Sequence, residues 1–158
     1  MKIRHAKQED AEEIHDVALK SWKDTYSQIF SEETIEQVIS DWYGVEDLRE
    51  QAEHPIFYVA EADAQVIGFV HASVDDGKAT LHRIYLDSEY QGEGIGSKLF
   101  RKAENKIEQE ADSIELEVLA ENDKGTGFYL KHGFEEQETE EVELKGEKAE
   151  QKILVKHF

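Results

Sequence analysis

The residues with the clearest chemical potential are Gln91-Gly92-Glu93-Gly94-Ile95-Gly96, which hold three glycines in five positions. A β-type run over 79–86 precedes them and a helix-type run over 97–111 follows. Glycine lets the backbone turn sharply and lets a ligand approach the chain closely. The first N–H groups of the following helix have no internal partner, and its dipole is positive there. Strand, glycine turn and helix together make an anion site, most often for phosphate. Ser97 and Lys98 fall in the first helical turn.

Two phosphate-binding fingerprints compete for this stretch, and neither fits. A dinucleotide site needs G-x-G-x-x-G in the first strand–helix–strand unit. Here Ser97 replaces the third glycine, and the stretch begins past the midpoint of the chain. A P-loop needs Gly-Lys followed by Ser or Thr, whereas Lys98 follows Ser97. A purely structural glycine turn stays open on local sequence alone.

The elements that must position this loop follow from periodicity. A short strand covers 2–4. Apolar spacing at Ala11, Ile14, Val17 and Ala18 predicts a helix over 9–20. Trp22, Tyr26 and Phe30 follow at intervals of four; Trp22 and Phe30 read as a core stripe and Tyr26 as a pocket residue. Ser31 caps a second helix with an acidic first turn, apolar at Ile35, Val38, Ile39 and Trp42 and closed by Gly44. A short helical piece spans 45–53. Strands are predicted over 56–61, 65–74 and 80–86, the last two joined by the hairpin signal Asp75-Asp76-Gly77-Lys78. Beyond the glycine stretch come a strand over 113–119, a helix over 123–132 ending at Gly133, and strands over 138–144 and 152–156. The expected fold is α/β, a mixed, largely antiparallel sheet flanked by helices, with a central strand–Gly loop–helix–strand unit. No repeat or linker interrupts it, so 1–158 is read as one domain.

Composition narrows the chemistry. The 158 residues include no cysteine, which excludes disulfides, thiolate nucleophiles and Cys-ligated zinc. Nothing near His71 shows metal-ligand spacing, so it reads as a plain strand residue and no metal is expected. There is no long apolar run and no signal-type N-terminus, which reads as a soluble, cytoplasmic protein without membrane contact. The formal charge of −19 argues against a nucleic-acid surface. Two explanations of that charge stay open: a solvated acidic shell screened by salt, or steering of a cationic substrate such as an amine.

Gln91-x-x-Gly94-x-Gly96, after a strand ending Arg83-Ile84-Tyr85-Leu86, resembles the acyl-CoA-binding motif of the GNAT superfamily of N-acetyltransferases. Asn122, with Gly127-Phe128-Tyr129-Leu130-Lys131-His132-Gly133-Phe134 downstream, resembles that superfamily's second motif. The element order is similar over almost the whole chain. The resemblance implies acetyl-CoA as cosubstrate, with its pyrophosphate on the amides of Gln91, Gly92, Glu93, Gly94, Ile95 and Gly96 and on Ser97 and Lys98. Lys98, Arg101 and Lys102 would offset the acidic chain locally, while Glu93 departs from the basic or small residue common there. The resemblance further implies that Ile84, Tyr85 and Leu86 border the pantetheine, and that the Leu86 N–H points at the thioester oxygen. Asn122 is expected as a cofactor or helix-cap contact.

The implied reaction is direct attack by a primary amine in a ternary complex. The amine must lose a proton, and the departing thiolate must gain one. Tyr129, with an ordinary pKa near 10, suits the second step. Glu117, Glu115 and His82 are the alternatives for the first, with water as a fourth; His82 is expected to share a strand face with Ile84 and Leu86. Glu117 sits where the superfamily's ribosomal-protein acetyltransferases carry their base. Trp22, Tyr26, Tyr43 and the strand over 138–144 are the implied acceptor site, for a small amine, a protein N-terminus or a lysine. A homodimer is the implied assembly. The rival reading is a non-catalytic acyl-CoA-binding regulatory domain on the same fold.

Overall fold

The computed structural model describes residues 1–158. The elements are β1 (Lys2–His5), α1 (Ala11–Tyr26), α2 (Glu32–Trp42), α3 (Val45–Gln51), β2 (Ile56–Ala62), β3 (Gln65–Asp75), β4 (Lys78–Leu86), α4 (Ile95–Glu108), β5 (Ser113–Leu119), α5 (Asp123–Lys131), β6 (Glu135–Leu144) and β7 (Glu147–His157). The strands form one seven-stranded sheet in the order β1-β2-β3-β4-β5-β7-β6. Every pairing is antiparallel except β4 with β5. That crossover carries the glycine loop and α4.

Helices cover both faces. Phe57, Val59 and Phe69 turn toward α1, α2 and α3. Val70, Leu81 and Ile114 turn toward Leu99, Phe100 and Ile107 of α4. Phe57, Phe69 and Phe100 are wholly inaccessible, each contributing about 1.5–3 kcal/mol by leaving water. Phe100 also meets Phe128 and Phe134, with ring centroids 6.4 and 5.8 Å away, so α5 packs on the α4 face.

Four elements differ from their sequence expectations. α1 runs to Tyr26, because Trp22 and Tyr26 extend its buried i, i+4 stripe. α4 starts at Ile95, inside the glycine stretch, and ends at Glu108. β6 and β7 run well beyond 138–144 and 152–156. Apart from Ala149 the added residues are polar, so no apolar alternation marks this part of the hairpin. Its tip turns back onto α2: Lys145 pairs with Asp41, and the Ser31 N–H and hydroxyl donate to Glu147 at 3.3 and 3.2 Å.

Two local irregularities open the centre of the sheet. β4 and β5 pair only at Lys78↔Ser113, Ala79↔Ile114 and Thr80↔Glu115, then splay apart. Opposite β3, the register slips so that His71 faces Arg83 while Ala72 faces Leu81, leaving His82 as a bulge. A bulge places two neighbouring residues on one side. His82 therefore lies 4.9 Å from the His71 ring, and Arg83 lies over Tyr43, both toward the α1–α3 layer. Ile84 and Leu86 pack with the α4 layer. The expectation that His82 shares their face is corrected by this bulge.

Candidate active site

The splay exposes one edge of β4. The Asp87 N–H donates to the Ile67 carbonyl at 2.8 Å. Antiparallel ladders alternate bonded and non-bonded pairs, so Tyr85, opposite Phe69, and Arg83, opposite His71, also turn their backbone groups toward β3. Ile84 and Leu86 point theirs the other way, at the edge β5 has left. The Gln91 amide donates to the Leu86 carbonyl there at 3.4 Å, and the Lys124 ammonium binds the other end of the Gln91 side chain.

At the end of this edge sits the glycine loop. Gly92 and Gly94 have φ of 86° and 79°, a left-handed conformation that costs glycine nothing. Gly94 precedes α4 with no side chain capping the helix start, and its carbonyl accepts from Lys98 N–H at 3.1 Å. The earlier amides of Ile95, Gly96 and Ser97 therefore stay free in the first turn, as an anion site requires.

A cavity of about 700 Å³ runs from this loop along β4, between α1 and α5. Leu86, Gln91, Gly92, Gly94, Ile95, Gly96 and Ser97 line it, with Lys124 and Lys131 of α5 as its cations. Glu93 and Lys98 lie outside that lining, and Lys102 reaches over the Tyr58 ring at 5.6 Å. In place of the cluster expected from Lys98, Arg101 and Lys102, the two α5 lysines are the cations at the cavity wall, beside the carboxylates of Asp24, Glu121 and Asp123.

A second cavity, of about 400 Å³, opens in the splay on the α1–α2 side. Trp22, Tyr26, Trp42 and Tyr43 form one wall, Glu115 and Glu117 of β5 another, and His82 and Arg83 lie on β4. From the expected strand 138–144 only Leu144 contributes, with Gln151 beside it. Tyr26, Ile84, Tyr85, Asn122 and Tyr129 line both cavities, so the two meet there.

The junction is held by hydrogen bonds. Trp22 Nε1 donates to the Tyr85 hydroxyl at 3.0 Å, and the Tyr85 and Tyr43 hydroxyls lie 2.9 Å apart. Asn122 caps α5: its Oδ1 accepts from Gly125 N–H at 2.8 Å while its Nδ2 donates to the Tyr26 hydroxyl at 3.2 Å. Burial, then the neighbouring Tyr85 and Tyr26, pushes the Tyr129 phenol far above its ordinary value. Tyr129 therefore stays protonated and can act only as a donor at ordinary pH.

The β4 side is cationic. Arg83 donates to the Trp42 carbonyl at 3.0 Å and to Gln51 Oε1 at 2.9 Å, and stacks 4.9 Å from the Tyr43 centroid. Behind it stands a histidine row that sequence reasoning missed. His54 Nδ1 and His71 Nε2 are 3.0 Å apart, and His82 Nε2 is 2.7 Å from Ser73 Oγ. Burial, then Arg83, lowers the His71 pKa to about 2, and the same two causes lower His82. Trp42, Arg83, Lys124 and Lys131 were also missed as lining residues. Lys131 lay inside the Gly127–Phe134 motif; Trp42 and Arg83 carried no signal.

Comparison with known proteins adds to this geometry. Residues 11–134 match the Acetyltransferase (GNAT) family. A spermidine N(1)-acetyltransferase of Thermoplasma acidophilum is 38% identical over 148 residues, covering 89% of this chain and 91% of that protein. The crystal structure of the PaiA N-acetyltransferase from Thermoplasma acidophilum in complex with coenzyme A is 34% identical, with a TM-score of 0.88 over 99% of this chain and 98% of that one. A ribosomal-protein-S18-alanine N-acetyltransferase from Escherichia coli, 18% identical with a TM-score of 0.75 over 99% and 92% of the two chains, shares the fold.

Proposed function

The chain belongs to the acetyltransferase (GNAT) family and is an N-acetyltransferase that uses acetyl-CoA; on that premise we propose that its acceptor is a primary amine of a small linear polyamine, attacked directly in a ternary complex. The observation that carries this reading is the meeting of two cavities at Tyr26, Ile84, Tyr85, Asn122 and Tyr129. Donor and acceptor can then be held at once, so transfer needs no enzyme nucleophile. The relative that acts on spermidine, at 38% identity over most of both chains, supports the substrate class. So do the aromatic wall and the two carboxylates of the smaller cavity, which suit an alkylammonium.

Bound acetyl-CoA supplies the thioester. The free amides at the start of α4, with Lys124 and Lys131, would hold its phosphates. The open Leu86 and Ile84 N–H groups lie in series along the β4 edge, Leu86 nearer the loop. Donors fixed at that edge stabilise negative charge developing on an oxygen, an effect of up to about 3–4 kcal/mol. Tyr129 would donate a proton to the departing sulfur. Glu117, on the cavity wall two strand positions nearer Asn122 than Glu115, is the assigned acceptor of the amine proton. His82 is the weaker choice: burial and Arg83 lower its basicity, and Ser73 holds its Nε2.

The test is thiol release from acetyl-CoA with spermidine, a diamine, a monoamine, lysine and an N-terminal peptide. Preferred turnover of the polyamine is expected. Coenzyme A binding without thiol release from any amine would instead favour a regulatory acyl-CoA-binding domain.

A further inference from the structure

Resting on the polyamine reading above, we infer that Glu115 selects acceptors that carry a second ammonium group, by holding that group at the apex of the β4–β5 cleft. Thr80↔Glu115 is the last pair before the two strands part. Glu115 therefore stands at the closed end of the acceptor cavity, with Glu117 on the same strand face about 6.6 Å nearer the junction. An extended four-carbon diamine spans a separation of that order. A reacting amine beside Glu117 and Tyr129 thus places its next nitrogen at Glu115.

The surroundings leave both carboxylates for a ligand. Neither takes part in an ion pair within the protein. Their cross-strand neighbours on β7 are Val155 and Ile153, and facing residues of a pair share one side of the sheet. The lysines of β7 alternate onto the other side, where Lys152 pairs with Glu136 at 2.9 Å and Lys156 pairs with Glu104, while His157, opposite Ser113, shares the side of Glu115 beyond the closed end. The opposite wall of the cavity repels a cation, because Arg83 is fixed there by Trp42, Gln51 and Tyr43. A cavity positive on its β4 side and negative on its β5 side orients a linear polyammonium along β5. Tyr26, Tyr43 and Trp42 cover its methylene chain. Glu115 is in this account a specificity residue, separate from the proton transfer given to Glu117.

The experiment compares steady-state KM for spermidine and for butylamine in wild type, Glu115→Gln and Glu115→Asp. The ratio of KM(spermidine) to KM(butylamine) should rise about tenfold in Glu115→Gln, the loss of one charge-assisted contact, and should largely recover in Glu115→Asp. Trp42 and Trp22 line the cavity, so tryptophan fluorescence titration with spermidine, in the presence of coenzyme A, should show the same loss without turnover. An unchanged ratio, or equal shifts for both amines, overturns the assignment of Glu115. Wild-type protein that acetylates other amines while neither binding nor acetylating spermidine overturns the polyamine reading, and this inference with it.

Discussion

Replacing Tyr129 by phenylalanine separates a proton donor from a packing residue. The substitution keeps the ring, whose edge-on contacts with Phe128 and Phe134 have centroids 5.6 and 5.8 Å apart. It removes only the hydroxyl of a residue that lines both cavities, and that hydroxyl has no hydrogen-bond partner in the protein. Removing an unpartnered polar atom leaves nothing unsatisfied behind, so stability should change by less than about 1 kcal/mol. Losing a general acid, by contrast, costs about 10²- to 10⁴-fold in rate, or about 2.7–5.5 kcal/mol of barrier at 1.36 kcal/mol per decade. The pH profile adds a second constraint. Burial, reinforced by Tyr85 and Tyr26, keeps the wild-type phenol protonated well past its ordinary pKa near 10. Wild-type kcat should then show no alkaline fall from this group. The assay is thiol release at saturating acetyl-CoA and spermidine from about pH 6 to about pH 9.5, alongside a thermal melt. A variant that keeps more than about a third of wild-type kcat throughout that range would refute the donor role, since a general acid is worth far more.

Three further predictions concern the scaffold. His71 is neutral in the fold, with its pKa near 2, but titrates near 6.5 when unfolded; the unfolded chain binds the proton first, so stability falls as pH drops below about 6.5 and should lose about 2 kcal/mol by about pH 5. Urea melts at pH 7 and pH 5 should show that loss in wild type and a smaller one in His71→Phe. Gly94→Ala forces a side chain into φ +79°, at a cost of about 1–2 kcal/mol, and should raise KM for acetyl-CoA more than KM for the amine. Asp10 loses charge stability to burial but regains more from Arg4, at 2.8 and 2.9 Å, and from Lys7 N–H, so its pKa is lowered. Asp10→Asn should cost about 2–3 kcal/mol at neutral pH, and the wild-type contribution should disappear as pH falls below the ordinary carboxylate value; a denaturation midpoint unchanged by the substitution would contradict this.

Much of the cofactor side was legible in the sequence because glycines report backbone conformation directly. Gly92 and Gly94 mark the left-handed turn, and a long apolar stripe marks α4 directly after it. Alternation along 113–119 placed Glu115 and Glu117 on one face. The acceptor side was less legible, because it depends on where pairing stops. The family resemblance implies that the strand before the loop parts from its neighbour at a bulge, but nothing in 78–86 itself fixes the parting after Thr80 or the bulge at His82 that carries Arg83 to the α2–α3 side. Both are settled by register across strands distant in sequence. The histidine row has the same origin: His54, His71 and His82 come from a loop and two strands, with no common spacing. The first half of β7 escaped notice because polar cross-strand pairs and a docked tip hold it, with little burial along the ladder.

The charge of −19 at first looks opposed to a polyanionic cosubstrate. Screening and placement resolve the conflict. At physiological ionic strength exposed charges lose reach beyond about 8 Å, so the glutamates of the β6 edge act little on the cofactor cavity across the sheet. What acts there is close: the free amides of α4 with Lys124 and Lys131, set against Asp24, Glu121 and Asp123 on the same wall. The smaller cavity carries its unpaired carboxylates on β5 and Arg83 on β4. The splay joins the two cavities, and Tyr129 and Asn122, uncharged, stand at the junction. One sheet opening thus gives an anionic donor and a cationic acceptor separate approaches that converge where proton and acetyl group must move.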